Sequence, residues 1–335
     1  MNIVIIGTGT IAHNRHLPSV MNNPIANLYG VYNRTVEKAQ QVAQQYNCKV
    51  FEDINCIWQD DNVDAVIICT PPSSHCNIAT QALNARKHVL VEKPMAMSKL
   101  EAITMNEAAK ANGCILMMSH NQRLYKPHLK AKELIANGEI GDVLTFRTFL
   151  GIPGVNLQND EQQGQWKSSL GEVGSHRLDL MNFLLERKPT KVFSHLFNVG
   201  SIESNTDDNG IAIIEYEDCI TGTFIFSFTS FGASDRMTQI FGTKGAMTLY
   251  SDSSFVTVEK GIEEKQVYTF LEELPQHKIE MTDIVDRFIS SIINNEKPFV
   301  TGEDGIQVMS LIDAIRQSSK DGKWITLANE YQMES

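Results

Sequence analysis

The chain has 335 residues, of which 42% are hydrophobic and 21% charged, and its formal net charge is −11. That length exceeds what one small core organises, so two domains are expected, and the acidic balance argues against a nucleic-acid or anionic-membrane partner. No apolar run is long enough to span a bilayer, no leader-peptide pattern opens the chain, and the six cysteines lack C-x-x-C spacing; these features point to a cytoplasmic protein with free thiols.

Met1 to Ile6 is an apolar run of strand type that feeds into Gly7-Thr8-Gly9-Thr10-Ile11-Ala12, with a helical pattern behind it. Strand, glycine turn and helix start form the phosphate-binding signature of a dinucleotide-binding unit. Gly7 supplies the turn, Gly9 lets a pyrophosphate approach the backbone, and Ala12 lets the helix lie close to the strand. The helix start offers N–H groups and a positive dipole end to the phosphates. Further strand and helix patterns alternate to about residue 120. Strands are predicted at 27–32, 65–69, 88–91 and 114–118, and helices at 36–46, from Ser73 or Ser74 as cap to about 85, and from Ser98 with Glu101 in a capping box. This alternation predicts a doubly wound parallel sheet over residues 1–120.

Residues 121–335 change character. Helices are predicted at 130–136, 173–185, 281–294 and 305–318, and strands at 143–150, 192–197, 210–216, 221–227, 236–242 and 246–250. Short connections between those strands predict an α+β domain with a large, mostly antiparallel open sheet, one face of which is free for a second subunit. The polar stretch 156–167, which includes Trp166, reads as a loop over the site, and 329–335 as a frayed tail.

In open parallel sheets, ligands bind beyond the carboxyl ends of the strands. Each distinctive loop of the first half starts there: Gly7 to Ala12, Asn33-Arg34, Thr70-Pro71-Pro72 through His75, and Glu92-Lys93-Pro94. The second strand ends in Tyr32-Asn33-Arg34 with no acid until Glu37. Arg34 can fork onto a 2′-phosphate or stack on adenine, while Asn33 can bond ribose hydroxyls, so NADP is favoured over NAD. Lys93 leaves a strand end where nicotinamide is expected, and its ammonium can polarise a substrate oxygen. Pro94 is a candidate for a cis bond. His16 shapes the start of the first helix, and His75 either touches ribose or caps its helix. Residues 120–123, including Arg123, suit nicotinamide or substrate contacts or a domain hinge. Further on, Glu172, His176 and Asp179 are spaced four and three apart, which puts them on one helical face. A carboxylate beside an imidazole orients it and raises its pKa. The Glu172/His176 spacing also resembles a metal pair, but no third ligand is nearby and no metal is expected.

Gly7 to Ala12, Thr70 to His75 and Lys87 to Pro94 together resemble the Gfo/Idh/MocA oxidoreductases. The resemblance continues through Asn121-Gln122-Arg123, Gly138 to Gly141 and Glu172 to Asp179. It implies hydride transfer between nicotinamide and a secondary alcohol of a sugar, sugar derivative or cyclitol, with Lys93 and His176 as the acid/base pair. By the same resemblance, Glu172 occupies a position that often holds a substrate-contacting aspartate; its longer side chain departs from that pattern. The implied cofactor contacts are Gly7, Thr8, Gly9, Thr10, Ile11, Asn33, Arg34, Thr70, Pro71, Pro72, His75, Glu92 and Lys93. The implied substrate contacts are Lys93, Arg123, Glu172, His176 and Asp179, and the expected assembly is a homodimer or homotetramer through the second-domain sheet. Two alternatives stay open: a glycosidase that oxidises, eliminates and re-reduces on a retained NAD, and a non-catalytic nucleotide-binding sensor.

Overall fold

The computed structural model describes residues 1–152, 168–200, 206–230, 237–250, 255–261, 264–270 and 284–327. The stretch 156–167 with Trp166 and the tail 329–335 lie outside them. The chain forms two compact units, one of residues 1–120 and 282–309, the other of residues 121–281 and 310–335. The first unit thus takes in segment 282–309 as well as the strand-and-helix alternation that runs to residue 120.

The first unit is built on a six-stranded parallel sheet of β1 (Asn2–Ile6), β2 (Asn27–Tyr32), β3 (Lys49–Phe51), β4 (Ala65–Ile68), β5 (His88–Val91) and β6 (Leu116–Met118), in the order β3-β2-β1-β4-β5-β6. All four residues of β4 are buried, as are Ile3 to Ile6 of β1, because a parallel sheet is covered on both faces. The connecting helices are α1 (Leu17–Asn22), α2 (Val36–Tyr46), α3 (Asn55–Gln59), α4 (His75–Asn84) and α5 (Lys99–Asn112). Helix α5 starts as its sequence predicts: the Ser98 hydroxyl accepts from Glu101 N–H, and the Glu101 carboxylate accepts from Met97 N–H. Helix α4 does not. The Ser74 hydroxyl turns back to Thr70 Oγ1 and Pro71 O and makes no cap bond, so the expected serine cap is corrected.

The returning segment completes this unit. Met118 N–H donates to Val300 O, and Met117 bridges Thr301, so the outer edge of β6 is covered. The same segment carries Val285, Phe288 and Ile289 into full burial, each worth about 1.5–3 kcal/mol of transfer free energy. That apolar face is the physical reason the segment belongs with the first unit.

The second unit holds α6 (Lys126–Ala136) and α7 (Ser175–Leu185) and a nine-stranded sheet. Its strands are β7 (Val143–Gly151), β8 (Pro189–Phe197), β9 (Asn209–Tyr216), β10 (Thr221–Ser227), β11 (Met237–Gly242), β12 (Ala246–Tyr250), β13 (Phe255–Lys260), β14 (Glu264–Thr269) and β15 (Ile325–Thr326). Their order is β14-β13-β12-β11-β7-β10-β9-β8-β15, antiparallel except for the β7/β10 pair. One face carries Phe146, Ile214, Tyr216, Phe224, Phe226 and Ile240 into the core, whereas Ile211 and Ile225, paired across β9 and β10, stay exposed. The last two helices are α8 (Ile284–Ile293), in the first unit, and α9 (Gly302–Asp321), whose residues divide between the units.

Candidate functional site

Each unit carries one cluster of chemistry. In the first, Ile6 pairs with both Tyr32 and Ile68, Ile68 pairs with Val91, and Val91 pairs with Met118. The residues that follow, Gly7, Asn33, Cys69, Glu92 and Ser119, therefore line up along the carboxyl edge. Gly7 has φ +92°, its N–H donates to Tyr32 O at 2.8 Å, and a Cβ there would meet the Cys69 carbonyl at 2.9 Å. Position 7 thus requires glycine for both backbone angle and space. Gly9 is different: a Cβ there meets nothing within 4 Å. The turn leads into a helical run from Thr10 to Asn22, in which Leu17 N–H reaches back five residues to Ala12 O, a π-type turn. Ala12 is fully buried, as close helix–strand packing demands. An open Gly9 before the start of a helical run fits a dinucleotide pyrophosphate.

Asn33 braces this turn. Its Nδ2 donates to Thr8 Oγ1 at 2.7 Å, and its Oδ1 accepts from Thr35 N–H at 2.9 Å. Arg34, next in sequence, is exposed. His75 is fully buried, with its ring nitrogens 2.9 Å from Pro94 O and 2.8 Å from Thr70 O. Burial holds it toward the neutral form. It ties the Thr70–Pro72 loop to the Lys93–Pro94 peptide, which is cis.

Glu92 is buried. Its Oε1 accepts from His16 Nε2 at 2.7 Å and from the Ser119 hydroxyl at 2.9 Å, and its Oε2 accepts from Lys93 N–H at 3.2 Å. Burial alone would raise the Glu92 carboxyl, but the His16 bond and charge, the Ser119 hydroxyl and Lys93 hold it at about 2. Burial opposes charge on His16 as well, and Cys69 and Glu92 overcome it and lift the imidazole to about 10. Sequence reasoning gave His16 only a shaping role and did not single out Ser119, because neither lies near Glu92 in the chain. The one signal was a polar residue directly following an apolar strand.

In the second unit, Arg123 sits in a short turn before α6, and Asp179 on α7. Both are buried, and Arg123 Nε and Nη2 grip the Asp179 carboxylate at 2.6–3.1 Å. This forked pair is the strong form of the guanidinium–carboxylate contact. Two residues read as separate substrate groups are thus brought together. Of the three residues expected on one helical face, Glu172 and His176 are half-buried, whereas Asp179 is buried against Arg123. From Ser168 to Leu185 only Glu172, His176 and Phe183 escape burial, so Glu172 and His176, four residues apart, are the polar side chains this segment leaves partly open.

The start of that helix explains why. Ser175 N–H bonds Leu170 O, five residues back, in a second π-type turn. It is anchored from outside by Asp207, which accepts from the Ser169 hydroxyl at 2.6 Å and from Leu170 N–H at 2.9 Å. Ser168 Oγ accepts from Gly171 N–H. The paired serines at 168 and 169 were a readable helix-start signal. Asp207, far along the chain, carried none. His128 is a structural histidine: buried, bonded through Nδ1 to Gln122 O, and held down to about 3 by burial and Arg177.

Comparison with known proteins finds two matching family profiles. The profile described as "Oxidoreductase family, NAD-binding Rossmann fold" matches residues 1–120, and that described as "Oxidoreductase family, C-terminal alpha/beta domain" matches residues 132–327. Myo-inositol 2-dehydrogenase of Thermotoga maritima is 24% identical, covering 98% of this chain and 98% of that protein. D-glucoside 3-dehydrogenase of Escherichia coli is 26% identical, covering 98% and 97%. The crystal structure of aldose-aldose oxidoreductase from Caulobacter crescentus shares the fold, with TM-score 0.86 at 22% identity, covering 98% and 99%. No helix among the described residues is long and apolar enough to cross a membrane.

The two glycines should separate stability from binding. Gly7→Ala is expected to cost at least about 1–2 kcal/mol from its backbone angle alone, read as a drop in Tm. Gly9→Ala is expected to keep the Tm and weaken dinucleotide binding, measured by titration of cofactor fluorescence. The His16–Glu92 pair predicts a pH signature. The imidazole is lifted from 6.5 to about 10 and the carboxyl lowered from 4.5 to about 2, so their stabilisation is complete between about pH 4.5 and 6.5. It declines as pH rises toward 10 and as it falls toward 2. The Tm gap between the wild type and His16→Gln should be widest near pH 5–6 and close toward pH 10; a gap independent of pH contradicts the assignment.

Proposed function

Because this chain belongs to the Gfo/Idh/MocA family of oxidoreductases, we propose that it transfers a hydride between nicotinamide and a secondary alcohol of a sugar, sugar derivative or cyclitol. The observation that carries this reading is the shared carboxyl edge of the first sheet, where the open glycine turn and the Glu92-Lys93-Pro94 turn both begin. The named activities of the inositol and glucoside dehydrogenases are in keeping with it.

The bound dinucleotide supplies the hydride acceptor or donor. Gly9 and the following helix start hold its pyrophosphate. Lys93 donates a hydrogen bond to the substrate oxygen and stabilises the negative charge that grows there as hydride leaves carbon. His176, with Glu172 four residues before it, takes the hydroxyl proton in the oxidation direction. The roles of Lys93 and His176 as base and charge stabiliser can be exchanged without altering the balance of the reaction. Arg123, held by Asp179, is assigned to substrate hydroxyls. Exposed Arg34 beside a braced Asn33 favours NADP, since the residues directly after β2, Asn33 to Val36, include no acid to repel a 2′-phosphate. We place the protein in the cytoplasm as a homodimer or homotetramer, with the exposed Ile211/Ile225 face of the second sheet covered by another copy.

The test is absorbance at 340 nm with NADP or NAD and a panel of sugars, inositols and sugar acids. Reduction dependent on one substrate class is expected, with kcat lowered ~100-fold or more by Lys93→Ala or His176→Ala. Near-normal turnover in both variants overturns the assignment. Release of free sugar without net cofactor reduction points to the glycosidase cycle instead. Arg34→Asp is expected to invert the cofactor preference toward NAD by disfavouring the 2′-phosphate; an unchanged preference removes Arg34 from cofactor choice.

A further inference from the structure

The His16–Glu92 pair ties together more of the carboxyl edge than the reaction itself requires. His16 belongs to the segment after β1, Cys69 follows β4, Glu92 follows β5 and Ser119 follows β6. His16, Cys69, Glu92 and Ser119 are all buried. Three strand ends and the helical run after β1 therefore meet on one carboxylate and its imidazole partner. Oε1 of that carboxylate is occupied by two donors from other segments, and Oε2 is turned to the peptide N–H of its neighbour Lys93.

We propose that His16 is a positioning residue for Lys93: with Ser119 it clamps the Glu92 carboxylate, and the clamped carboxylate fixes the backbone from which the Lys93 side chain projects. The proposal rests on the reading of Lys93 as the group that meets the substrate oxygen. Its physical content is a competition. A carboxylate adjacent in sequence to an ammonium is within reach of it as a counter-ion, and the two feel each other's charge here. The imidazole and the hydroxyl hold Oε1, and the imidazole's charge offsets that of the carboxylate, so Glu92 is kept from folding onto Lys93. The titratable groups packed around the pair are Cys69, whose thiol burial pushes up, His75, which burial holds neutral, and Lys93 itself.

The experiment is NMR of the ligand-free protein labelled with 13C-lysine, following the ε-methylene signal of Lys93, identified by its loss in Lys93→Ala. His16→Gln is expected to move that signal while the other lysine signals stay in place. The double variant His16→Gln/Glu92→Gln removes the stray carboxylate, and its Lys93 signal is expected to return toward the wild-type position. Ser119→Ala, which removes only the second donor to Oε1, should shift the signal in the same direction by less, and it provides the reading if His16→Gln does not fold. A Lys93 signal unmoved by a folded His16→Gln or Ser119→Ala, or a double variant that shifts as the single does, overturns the proposal. Turnover by Lys93→Ala would instead overturn the catalytic reading of Lys93 and leave the signal shift standing, so the two failures are distinguishable.

Discussion

A parallel sheet aligns the ends of its strands. Because β1, β2, β4, β5 and β6 run the same way in matched register, the residue after each strand falls on one line. Apolar side chains fill both faces of the sheet, so polar chemistry is excluded from its body and concentrates at that edge. The glycine turn, the asparagine that braces it, the buried glutamate and the lysine beside it all follow from this constraint.

The second unit reaches a similar result with different means. A helix ordinarily buries one stripe and exposes the other. Around α7 burial is nearly complete, and the two polar side chains that escape are separated by one turn. The π-type turn at Leu170–Gly174 lies at the head of this helix and is tied down by Asp207, so the direction of Glu172 depends on a carboxylate from the approach to β9. The Arg123–Asp179 pair contributes rigidity of another kind. A buried guanidinium is tolerated only when its charge is met, and breaking such a pair costs about 3–5 kcal/mol. Asp179 thus fixes where Arg123 sits.

Much of this was legible in the residues. The run from Ile3 through Ala12 specifies strand, turn and helix because each local preference agrees with the next. The Ser98/Glu101 pair marks a helix start that forms as written. What resisted reading was what depends on partners distant in sequence. His16 and Glu92 are 76 residues apart, and nothing in either segment announces the other. β13 and β14 are polar enough on their outward side to lack a clear alternation, and β3 and β15 are too short for a period to register. The amphipathic pattern of α8 was visible as a helix, but a helix's apolar stripe does not say which core it will join.

That last ambiguity has a consequence for how the protein is made. A ribosome delivers the chain from its amino end, and 120 residues would be enough to hydrogen-bond all six strands of the first sheet. They are not enough to seal it. Until residues 282–309 emerge, the surface destined for Val285, Phe288 and Ile289 has no cover, and the edge of β6 lacks Val300 and Thr301. The first unit is closed only once residues 282–309, more than 160 residues after its sixth strand, have been made. An exposed strand edge is a template for mispairing, and the late segment is what removes that edge from the first sheet.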